Sequence, residues 1–128
     1  EGMLCYLQQF HAGDFPIDKI GVVRKGDGFK LIAKVKHEAK EGAADKTYDI
    51  LPNIAYDTPF TIRSEWFAGS AGYPQQLIIV ANGVRVDIPM QYPVIEGVYP
   101  KFGLYPQYVE GGADFQIAVE ILGVRWLS

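Results

Sequence analysis

Gln9 and His11 stand two residues apart near the start of the chain; Lys101, Gly103, Tyr105 and Gln107 repeat that interval near its end. In a β-strand, residues two apart share a face. If both stretches are strands, each presents its polar residues as one row. Imidazole accepts a proton near neutral pH because its ordinary pKa is about 6.5. The Gln9 amide beside it can hydrogen-bond a carboxylate or hydroxyl. A phenol held near a cation ionises more readily, so Tyr105 beside Lys101 could shuttle a proton. Gly103 leaves room for a bulky ligand. The same residues equally suit an ordinary sheet, with a half-exposed histidine and a surface tyrosine, since tyrosine is common in strands.

A third row is basic. Lys30, Lys34 and Lys36 alternate with Leu31, Ala33 and Val35. Such a face can contact an anionic polymer, or it can be a solvated face or a lysine-protected edge. Lys34 and Arg63 join Lys101 and Gln107 as candidate substrate contacts. Metal ligation has little support. His11 and His37 are far apart in sequence, and the loop aspartates Asp14, Asp18, Asp27 and Asp45 follow no calcium-loop pattern. No phosphate loop or serine-hydrolase elbow is present.

The elements that must position these side chains read as strands. The chain has 128 residues, 48% of them hydrophobic and 21% charged, enough for one domain with a buried core. The net charge of −3 argues against a dedicated nucleic-acid binder but permits a local basic cleft for an anionic substrate. Cys5 is the only cysteine, which rules out an intrachain disulfide and a cysteine zinc site. No apolar run approaches the roughly 20 residues of a membrane helix, so no membrane partner is expected. No signal peptide is evident, and the non-methionine start suggests a processed or truncated product.

Glycine, proline and aromatics punctuate short apolar runs, the pattern of an all-β domain. Strands are predicted at about residues 4–11, 19–24, 28–37, 47–55, 59–67, 76–80, 84–88, 101–109 and 114–126, with 38–45 as a loop. Asn82-Gly83 favours a tight hairpin because both residues accept positive φ. The architecture expected is an antiparallel β-sandwich or jelly roll of the concanavalin-like kind, filling residues 1–128 as one domain or as part of a larger one.

Gln9-Phe10-His11 and Tyr99-Pro100-Lys101-Phe102-Gly103-Leu104-Tyr105-Pro106-Gln107 together resemble the signatures of jelly-roll polysaccharide lyases, which include alginate, glucuronan and heparin-lyase-like branches. In alginate-lyase-type members one strand carries Gln-Ile-His and a late strand Tyr-Phe-Lys-Ala-Gly-x-Tyr-x-Gln. This chain has Phe10 for Ile, Pro100 for Phe, Phe102 for Ala and Pro106 for a usually polar residue. The stretch 59–66, followed by 77–87 with its Asn-Gly turn, also looks like the middle of the heparin- and glucuronan-lyase-like branches. The resemblance covers nearly all of this chain but only the C-terminal half of such a lyase. The Arg-x-Glu-Leu-Arg strand of the other half has no counterpart among Arg24, Arg63, Arg85 and Arg125.

The resemblance implies cleavage of a uronic-acid polysaccharide, alginate or glucuronan first, by β-elimination. Gln9 would bind the substrate carboxylate, His11 would act as or assist the base, Tyr105 would protonate the leaving O4, and Lys101 would hold the sugar and tune Tyr105. It implies no redox or organic cofactor, with a structural calcium possible, and a secreted or periplasmic location. A second chain or N-terminal half would complete the fold. Two other functions fit the same sandwich. One is a non-catalytic carbohydrate-binding module that stacks sugars on Trp66, Tyr73 or Tyr92. The other is a structural interaction domain.

Overall fold

The computed structural model describes residues 2–36, 38, 40–67, 76–89, 98–107 and 118–124. Among these residues eight strands run in order: β1 (Met3–Ala12), β2 (Phe15–Lys25), β3 (Gly28–Lys36), β4 (Asp45–Ala55), β5 (Ile62–Phe67), β6 (Gln76–Ala81), β7 (Val84–Pro89) and β8 (Val98–Pro106). They form two antiparallel sheets, β4-β3-β2-β1-β8 and β5-β6-β7, packed as a β-sandwich. The all-β expectation is met, and no helix occurs among the described residues.

Strand β3 alternates as expected. Leu31, Ala33 and Val35 are buried in the core and Lys30, Lys34 and Lys36 take the opposite face. The core joins this inner face to the three-stranded sheet through Leu77, Ile79, Ala81 and Ile88. Phe10 against Trp66 (5.8 Å between ring centroids) and Phe29 against Phe60 (5.6 Å) add ring contacts across the sandwich. The β6–β7 turn has φ 47° at Asn82 and 78° at Gly83, the two positive values of the predicted hairpin.

Several boundaries differ from the sequence expectation, among them the start of β5 at Ile62 rather than Pro59. Strand β2 begins at Phe15 rather than Lys19, because β1 supplies partners as far as Ala12 opposite Phe15. Strand β8 begins at Val98 and includes Pro100. Proline is tolerated there because, among the described residues, β8 pairs with β1 on one side only. The described part of the expected last strand, 118–124, forms no ladder. Val119, Ile121, Leu122 and Val124 stay exposed along the open cleft between the sheets. β-branched composition favours a strand only where backbone partners and a packing surface are available.

Two register shifts in the β1–β2 ladder, one bulging β1 and one bulging β2, decide which side chains face out. Tyr6 pairs with Gly21 and Gln8 with Ile20, so two steps along β1 match one along β2. This bulge reverses the inside–outside alternation. Cys5 and Leu7 lie in the core, yet Gln9 and His11 face the other side. A second bulge falls where Phe10 pairs with Asp18 and His11 with Pro16. It buries Asp18 completely. The Phe10 backbone N–H donates to Asp18 Oδ1 at 3.3 Å, while Oδ2 has no partner.

Burial drives the Asp18 carboxyl well above the usual carboxylate range, opposed in part by the Phe10 bond. The native state therefore favours protonated Asp18. Its contribution to stability is complete below the unfolded pKa, about 3.9, and is lost as pH rises through the folded value. Asp18→Asn keeps an acceptor for Phe10 and cannot ionise. It should raise the melting temperature at pH 8 by about 3–6 °C, equivalent to about 1–2 kcal/mol in a domain of this size, with little gain near pH 4. Thermal unfolding followed by circular dichroism at both pH values tests this. An equal gain at the two pH values would show that Asp18 is not the titrating group.

Candidate functional site

The two polar stretches are adjacent strands. β1 and β8 pair antiparallel, with Gln9 opposite Lys101, His11 opposite Tyr99 and Tyr6 opposite Tyr105. Directly opposed residues share a face. Gln9 also lies opposite Lys19 of β2, Lys19 opposite Lys34 of β3, and Lys34 opposite Thr47 of β4. Lys34 stands between core residues Ala33 and Val35, so its row lies on the outer face of the five-stranded sheet. Gln9, His11, Lys101, Tyr105 and Lys34 therefore share that face.

His11 is only 7% exposed. Its Nε2 lies 2.7 Å from Gln9 Oε1, and its ring centroid lies 5.7 Å from that of Tyr99. Burial lowers the His11 pKa, the nearby Lys101 ammonium lowers it further, and Asp14 opposes them. The imidazole is thus held neutral. Nε2–H donates to the Gln9 oxygen, and Nδ1 is left buried without a partner. With its oxygen engaged, Gln9 offers its amide N–H groups to a ligand. Tyr99 is 38% exposed and donates its hydroxyl to the Gly13 carbonyl at 2.8 Å, which ties β8 to the β1–β2 turn.

Lys101 lies with its ammonium 5.9 Å from the centre of the Tyr99 ring. Tyr105 instead donates its hydroxyl to the Phe102 carbonyl at 3.2 Å. Its ring folds back over Gly103, whose added Cβ would lie 3.8 Å from the phenol oxygen. Gly103 has φ 149°, a conformation side-chain-bearing residues rarely adopt, at the register shift in β8. The phenol is therefore about two residues, or about 7 Å, along the strand from the Gln9–Lys101 rung. It is about four residues, or about 13 Å, from the His11–Tyr99 rung.

Two predicted contacts are not brought into this group. Arg63 is on β5 in the other sheet, 66% exposed and paired with Glu65 at 3.6 Å. Gln107 follows β8 and is exposed, with its amide donating to the Tyr105 and Pro106 carbonyls. Of the basic strand, Lys30 pairs with Asp49 and Lys36 with Asp45. Trp66 packs against Phe10 between the sheets instead of forming a surface platform. His37, Tyr73 and Tyr92 lie outside the described residues. Among the described residues, no group of three or more histidine, cysteine, aspartate or glutamate side chains could hold a metal ion.

Sequence reasoning missed Lys19 and Tyr99. Lys19 pairs with Asp45 at 3.5 Å and lies 5.0 Å from the Tyr6 ring centre. Nothing in its local sequence marks it, since its place beside Gln9 comes from strand pairing. Tyr99 was findable, because it stands two residues before Lys101 on the same face. No family model, curated protein or solved structure matches the chain.

His11 links the site to stability. Its lowered pKa means that the unfolded chain binds the proton more readily. Its contribution is present above the unfolded pKa of about 6.5 and is lost as pH falls through the folded value. Between pH 7 and pH 5 the native chain should lose more stability than His11→Gln. Urea unfolding at the two pH values measures the difference, and parallel losses would mean that His11 carries none of it.

Proposed function

We propose that the chain acts on a uronic-acid polysaccharide by β-elimination, with the outer face of β1 and β8 as its site. The observation that carries this reading is the Gln9–Lys101 rung, backed by the His11–Gln9 hydrogen bond. An amide donor and an ammonium side by side suit a sugar carboxylate. Neutralising that carboxylate eases removal of the adjacent C5 proton, because the developing negative charge is then stabilised.

The separation along β8 divides the roles. His11 is buried behind Gln9, about 13 Å along the strand from the Tyr105 phenol, too far for both to serve one scissile bond. His11 is a positioning residue that orients the Gln9 amide. Tyr105, once its bond to the Phe102 carbonyl opens and its proton has passed to solvent, takes the C5 proton. The C5–H electron pair forms the C4–C5 double bond, the C4–O4 bond breaks, and the tyrosine proton passes to the departing O4. The tyrosine is then phenolate again, so atoms and charge balance without a cofactor. Lys101, and Lys34 farther along the row, hold the polymer. Secretion or a periplasmic location, and a structural calcium, belong to the same reading.

One observation favours a non-catalytic carbohydrate-binding module instead. The Tyr105 hydroxyl is committed to the Phe102 carbonyl, while Tyr99 and Lys101 lie together, both exposed, on the same face.

Incubation with alginate, glucuronan and heparin-like polymers, followed by the ultraviolet absorbance of the unsaturated product, separates the two. Tyr105→Phe should reduce turnover by about 10²–10⁴-fold, the usual worth of a proton-transfer group, and leave polymer binding nearly intact. Binding without product from any of these polymers would leave only the binding module. Equal loss of binding and turnover would make Tyr105 a contact and no more.

A further inference from the structure

Lys19 and Lys34 are directly opposed across β2 and β3. Like charges at such a pair repel. Asp45 compensates Lys19 at 3.5 Å, but it is shared with Lys36 at 3.6 Å, and no described acidic side chain pairs with Lys34. The same transverse row continues through Gln9 to Lys101. It therefore contains two donor pairs, Lys34 with Lys19 and Gln9 with Lys101. Neighbouring strands are about 5 Å apart, so the centres of these pairs are two strand spacings apart, about 10 Å.

We propose that Lys19 and Lys34 form a second carboxylate subsite, and that the polymer lies across the strands with two of its carboxylates seated along this row. The inference rests on the uronate reading above and adds to it an orientation and a repeat. In a flat 1,4-linked ribbon each sugar ring advances by about one strand spacing, and successive rings face opposite ways. Carboxylates on one side therefore recur every second ring, matching the separation of the two pairs. A ribbon-like polyuronate fits this row better than a strongly buckled one.

Three features equip Lys19 for this role. The Asp45 ion pair and the Tyr6 ring hold its ammonium in place. Gly21 makes that arrangement possible, because an added Cβ there would meet the Tyr6 ring at 2.8 Å and the Cys5 carbonyl at 2.6 Å. Lys19 is also next to Gln9 on the side away from Lys101, so the second subsite directly adjoins the first along the row.

The test uses the whole chain and flat 1,4-linked oligouronates of two to six rings, with affinity measured by calorimetry at low and high salt. The native chain should bind the tetramer more tightly than the dimer. Lys34→Gln should weaken tetramer binding about fivefold, with dimer binding unchanged. Lys19→Gln should do the same, and circular dichroism checks that both variants fold. Unchanged tetramer affinity in both variants, or a dimer bound as tightly as the tetramer, would overturn the second subsite. So would single-stranded nucleic acid bound as tightly as the tetramer. If product still forms when the row fails this test, the lyase reading survives alone. If the native chain binds no oligouronate, both readings fall.

Discussion

The pairing of β1 with β8 is the constraint on which the rest of the structure depends. It joins segments about 90 residues apart and closes the five-stranded sheet on one side. Such a distant pairing costs loop-closure entropy before any contact offsets it. The inner face supplies the compensation, with Leu7, Phe10 and Ala12 of β1 in the core and Val98 of β8 packed against it. The outer face receives its order from the same ladder. Once Gln9 faces Lys101, His11 must face Tyr99, and the Tyr99 hydroxyl reaches the Gly13 carbonyl.

The two faces treat polar groups differently. Inside, Asp18 is deprived of water, so its carboxyl pKa is driven upward. Outside, lysines gather on a chain whose net charge is −3. Asp45 and Asp49 on β4 balance that row at one end, while Lys101 at the other end lies over an aromatic ring. The carboxylates thus sit at the β4 end of the face, and the β8 end keeps its positive charge. His11 sits between the two regimes, buried enough to favour the neutral imidazole and hydrogen-bonded to the Gln9 amide oxygen.

Much of the fold was legible from short-range pattern. Alternation along β3 assigned both of its faces, because a regular strand between two partners keeps strict period two. Asn82-Gly83 marked a hairpin through backbone conformations that few other residue pairs accept. The starts of β2 and β8 were harder, since strands extend as far as a neighbour offers hydrogen bonds. The expected last strand shows the converse, with apolar β-branched residues at 118–124 and no ladder. Within the site, Gln9, His11, Lys101 and Tyr105 were legible as rows. That Arg63 falls in the other sheet was not legible, because nothing in its own strand reveals which sheet that strand joins.

By itself, the sequence determined the all-β character, the two polar rows and the basic face of β3, because these follow from side-chain chemistry and a two-residue period. Only the tertiary structure decided that the rows are neighbours, that Lys19 stands beside Gln9, and that Tyr105 lies far from His11. It also decided which way β1 faces. Strict alternation would place Cys5, Leu7, Gln9 and His11 on one side, yet the first two are core and the last two are site. The bulge at Gln8 divides them, and it forms because two steps of β1 must be accommodated against one of β2. That requirement belongs to the pairing of two strands, and neither strand carries it alone.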